Sequence, residues 1–120
     1  MRTDAAANLL RAGVDKLLKS DAVMGALRRQ LGRYVEVLDL GCTMSGVTAV
    51  VRPLGFAEGV RIVLTRAEIS DDGMWIRPLD ISADREGVDA LLRDLVRGRR
   101  FELPGMARPF TGMLKKLLEN

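Results

Sequence analysis

At 120 residues, 48% hydrophobic and 29% charged, the chain is close to the commonest domain size and lies outside the disordered and low-complexity classes. Its net charge of +3 is modest, with basic and acidic groups interleaved along most of its length. Histidine is absent and Cys42 is the only cysteine, which excludes an intramolecular disulfide, a Cys/His nucleophilic pair, a Ser-His-acid relay and zinc sites of the usual kind.

The first segment, 4–19, places Leu9, Leu10, Val14, Leu17 and Leu18 at helical spacing. Arg11, Asp15, Lys16 and Lys19 interrupt it with charge, unlike the uninterrupted apolar stretch of a secretory leader. No run reaches the eighteen or so apolar residues of a membrane span, so the expectation is a soluble, cytoplasmic protein. Ser20 and Asp21 offer caps for a second segment, in which Val23, Met24, Leu27 and Leu31 recur at helical spacing before Gly32. Two helices, or one bent helix, fit this pattern.

From Tyr34 onward β-branched residues and glycine-containing turns predict four strands: 34–40, 46–54, 60–69 and a fourth that begins after Asp71-Asp72-Gly73. The Asp-Gly pair supplies the positive φ of a hairpin turn. Pro78 cannot donate a ladder hydrogen bond, so the fourth strand is expected to lie at an edge or to lose pairing there. Short connections make an antiparallel meander the simplest topology.

Ser82 is the expected cap of the next helix, with Val88, Leu91, Leu92, Leu95 and Val96 on one face and Gly98 as its stop. The stretch Phe101-Glu102-Leu103-Pro104-Gly105 predicts a brief extended segment and a turn. A last helix from near Pro109 carries Phe110, Met113, Leu114, Leu117 and Leu118 on one face, with Lys115 and Lys116 on the other. The expected fold class is therefore α+β over 1–120 as a single domain: N-terminal helical segments, a four-stranded antiparallel meander and two C-terminal helices.

Catalytic equipment is sparse. The chain has no P-loop and no dinucleotide fingerprint. Cys42, in Gly41-Cys42-Thr43-Met44-Ser45-Gly46, has the ordinary reading of a small buried hydrophobe. Asp71, Asp72, Asp80 and Asp84 lie close together, but turn chemistry and a helix dipole already account for them. The expectation is a protein that is not an enzyme and uses no cofactor or metal.

Its principal functional reading is a binding or assembly module. The expected surface combines a sheet face with amphipathic helices, through Trp75, Phe110, Met113, Leu114 and Leu117. A protein partner or a second copy of the chain is the first expectation for its occupant, and an apolar ligand or a membrane surface also fits. The alternative is an anion-binding protein. In that reading Arg28, Arg29 and Arg33 converge with Arg97, Arg99 and Arg100 on nucleic acid or anionic lipid. Nucleic acid ranks lower, because the five aromatic residues form no dense stacking platform.

Overall fold

The apolar spacing of the N-terminal region produces two helices, α1 (Arg2–Leu18) and α2 (Asp21–Leu31). The break between them has a local cause: the Ser20 hydroxyl accepts a hydrogen bond from the Val23 amide, which caps α2 independently of α1. The chain then forms β1 (Val35–Thr43), β2 (Gly46–Pro53), β3 (Val60–Ile69) and β4 (Trp75–Ala83), followed by α3 (Glu86–Leu95), β5 (Phe101–Glu102) and α4 (Thr111–Leu118). This computed structural model describes residues 2–103, 105 and 111–119, with side chains described from residue 8 onward.

The strands form one antiparallel sheet in the order β1-β2-β3-β4-β5. Its α+β class and meander agree with the sequence pattern, as does the open side of β4 at Pro78, and three features differ. The extended segment at Phe101–Glu102 pairs with Trp75 and Ile76, adding a short fifth strand. The fourth strand runs through Pro78, which stands opposite Ala67. β5 pairs with β4 only at Trp75 and Ile76, so the missing proline N–H interrupts no ladder on that side, and the Pro78 carbonyl there accepts from the Gly98 amide instead. Ser82 lies inside β4 opposite Val63 rather than at a helix cap, and α3 starts after Arg85 with no side-chain cap. The first strand continues to Thr43, three residues past its expected end.

Register explains the main core. Val37, Leu40 and Cys42 on β1 stand opposite Val51, Ala49 and Val47 on β2, which in turn stand opposite Val60, Ile62 and Leu64 on β3. Directly opposed residues share a face, so this is one continuous apolar surface. Val37, Leu40 and Val51 are buried at its centre, and Leu18, Val23, Met24 and Leu27 pack on them. Gly46 and Gly73 turn the two tight hairpins with φ of +127° and +73°. At Gly46 a Cβ would also overlap the Leu64 backbone carbonyl.

The helices take separate places on this sheet. α1 and α2 lie on β1, α4 on β3 and α3 on β4, while α1 also touches α4. Among the described residues no helix is long and apolar enough to cross a membrane.

Candidate functional site

The helical part of the expected apolar surface turns inward. Met113, Leu114 and Leu117 are half-buried on a helix packed against β3 and α1, and Leu118 beside them is 1% exposed. Gly13 of α1 allows this approach, since a Cβ there would stand 3.0 Å from the Met113 methyl. Phe110 lies outside the described residues.

Trp75 is flanked by cations. The guanidinium of Arg100 sits 4.0 Å from its ring centroid and that of Arg77 at 5.4 Å, both within cation–π range. Arg77 also pairs with Glu68 at 3.2 Å across the β3–β4 ladder, and its buried Nε has no hydrogen-bond partner among the described residues. Trp75 borders one cleft of about 280 Å³ with Glu68, Asp71, Lys115 and Glu119, and another of about 260 Å³ with Asp72 and Glu102. These carboxylates oppose an anion site. Lys115 answers part of the charge by pairing with Asp71, a hydrogen bond that holds its ammonium above the ordinary lysine range.

The two arginine triplets do not converge. Arg28 donates to the Val37 carbonyl on β1 at 3.4 and 3.3 Å, whereas Arg97 donates to the Leu79 carbonyl on β4 at 3.0 Å and Arg100 lies on Trp75. Two strands separate β1 from β4. Arg29 and Arg33 are exposed at the α2 end, and Arg99 is exposed near β5.

The acidic residues have separate local partners. Asp71 pairs with Lys115, Asp72 accepts from the Met74 amide at 3.0 Å, and Asp84 accepts from the Arg61 amide at 3.0 Å. No group of three or more histidine, cysteine, aspartate or glutamate side chains among the described residues is arranged to hold a metal. Cys42 is buried, and that burial raises its thiol above the ordinary range.

Open apolar surface gathers elsewhere, at the end of the β1–β2 pair that leads into the 54–59 loop. The register between β1 and β2 shifts between Val37 and Asp39, so Leu38 has no opposite residue and is exposed. A bulge of this kind re-aims the side chain it carries. Leu38 meets Val50 across Gly59, whose Cβ position would lie 3.2 Å and 3.1 Å from the two side chains. Nearby, the Leu54 amide donates to the Tyr34 carbonyl at 3.0 Å, and both side chains are 66% exposed. Phe56 follows, exposed, with the Arg85 guanidinium 5.6 Å from its ring centroid.

Charged residues lie within and beside this group, the Glu36–Arg52 pair falling between Tyr34 and Leu38 along β1 and between Leu54 and Val50 along β2. Glu36 pairs with Arg52, Glu58 pairs with Arg85 at 3.0 Å, and Arg29 and Arg33 stand at the nearby α2 end. Aromatic side chains and arginines are enriched at protein contact surfaces. Sequence periodicity missed it, because Tyr34, Leu54 and Phe56 lie outside regular elements and Leu38 depends on a bulge. One signal was present: Leu54-Gly55-Phe56 puts large apolar groups at turn positions that are usually polar. Compared with protein-family models, curated proteins and solved structures, the chain matches none.

Proposed function

We propose that this chain is a non-enzymatic binding module that docks a protein partner through Tyr34, Leu38, Leu54 and Phe56. The carrying observation is the exposed Leu38 at a β-bulge beside three other exposed large apolar residues. Such a group remains in contact with water unless something covers it. The charges within and beside the group argue for the partner's chemistry. Glu36 and Glu58 are already paired within the chain, which leaves Arg29 and Arg33 as the excess charge there. The complementary surface is therefore an apolar segment flanked by acidic residues on a different protein, since a second copy would bring the same arginines.

A photo-crosslinking residue at position 54, compared with one at the exposed control position 91, identifies the occupant. The captured protein is then purified and titrated against the intact chain. Leu38→Asp and Leu54→Asp are expected to weaken its binding about tenfold or more, as removal of central apolar contacts does, while Leu91→Asp leaves it unchanged. Arg29→Glu with Arg33→Glu slows association. Equal binding by all the variants, or a dimer in light scattering that protects this patch, overturns the reading.

A further inference from the structure

We infer that α1 is a latched cover that opens from the edge of β1 while the rest of the sheet stays folded. β1 is an edge strand, and two of its outward backbone groups are satisfied by Asp15 of α1 and by Lys19, the first residue after it, in place of a sixth strand. Asp15 Oδ1 accepts from the Cys42 amide at 2.8 Å, and Lys19 Nζ donates to the Leu40 carbonyl at 2.7 Å. The two side chains also pair with each other at 3.0 Å, and Asp39 lies 3.9 Å from the lysine. Gly41 is what admits this pair, because a Cβ at that position would overlap both Lys19 Nζ and Asp15 Oδ1.

Beyond this pair, Leu18 at the C-terminal end of α1 packs on the main cluster and Gly13 approaches Met113 of α4. Val14 is the only residue of α1 among those with described side chains that is fully buried. The next helix has anchors of its own: Ser20 caps it, Val23, Met24 and Leu27 pack on the main cluster, and Arg28 bonds the Val37 carbonyl. The two-residue connection Lys19-Ser20 is therefore the natural hinge of a local opening. Opening exposes the β1 edge and the Cys42 thiol, which is 8% exposed in the closed arrangement.

Cys42 is thus a built-in reporter; because burial, and with it the Asp15 charge, raises its thiol, each variant's rate is divided by its thiolate fraction, obtained by titrating that variant. The Cys42 reaction with an aromatic disulfide reagent at pH 7.5 is followed with amide exchange of the β3–β4 hairpin. Asp15→Ala is expected to accelerate the thiol reaction tenfold or more, with hairpin protection unchanged, and Asp15→Asn, which retains an acceptor oxygen, gives a smaller acceleration. Asp89→Ala removes a comparable cap from the Ala83 amide on β4 and is expected to leave Cys42 unaffected. An unaltered thiol rate in Asp15→Ala, equal acceleration in Asp89→Ala, or parallel loss of hairpin protection overturns the inference.

Discussion

Seven charged side chains among the described residues bond backbone groups of the sheet. Asp15, Asp84, Asp89 and Glu119 accept from the amides of Cys42, Arg61, Ala83 and Ile69, each at 2.8–3.0 Å. Lys19, Arg28 and Arg97 donate to the carbonyls of Leu40, Val37 and Leu79. Strand edges carry unpaired backbone groups, and satisfying them locally also blocks edge-to-edge association. The titration consequence has a definite sign. The Cys42 amide and then the Lys19 ammonium hold Asp15 below the ordinary carboxylate range, and the Ala83 amide does the same, ahead of Arg93, for Asp89. Both contribute stability that is complete above the unfolded-state value near 4 and is lost as pH falls through the lower folded values. Thermal melts from pH 6 to pH 2 should show a steeper loss for the native chain than for a D15N/D89N variant; parallel curves would refute this assignment. At Trp75, Arg100→Ala should cost about 0.5–1 kcal/mol if its stacking is an exposed cation–π contact, measured as a shift in the urea midpoint.

Elements followed local chemistry where the relevant contacts were near in sequence. Ser20 was legible as a cap because its partner, Val23, is three residues away. Ser20→Ala should therefore lower stability by about 1 kcal/mol, and calorimetry would contradict the capping role if the melting temperature did not change. Gly46→Ala combines a positive φ with a backbone overlap and should lose more than Gly55→Ala, whose Cβ meets nothing within 4 Å. Ser82 had the same cap-like sequence context as Ser20 but became a strand residue, because pairing with Val63 extends β4. Local propensity yielded there to the ladder. The short β5 shows the same dependence: two residues form a strand only because Trp75 and Ile76 offer an edge.

The whole molecule has a radius of gyration of 14.0 Å, close to the roughly 14 Å expected for a folded chain of this length. Its buried residues span the sheet, from Val37 and Val51 beneath α2 to Ala67 and Ile69 on β3, where α4 brings Leu118. Leu118→Ala should cost about 2–5 kcal/mol as a buried truncation. If both ends belong to one cooperative unit, circular dichroism and Trp75 fluorescence will lose signal at the same denaturant concentration; separate transitions would divide it.

Composition and periodicity by themselves determined the α+β class, the positions of most helices and strands, and the hairpin turn at Asp72-Gly73. These features rest on side-chain spacing and backbone preference within a few residues. Only the tertiary structure decided which apolar stripe would be covered. It turned Met113, Leu114 and Leu117 inward, left Tyr34, Leu38, Leu54 and Phe56 in water, and separated the arginine triplets to opposite margins of the sheet. Hydrophobic attraction has no preferred partner along the chain, so long-range packing and one bulge in β1 selected the exposed surface.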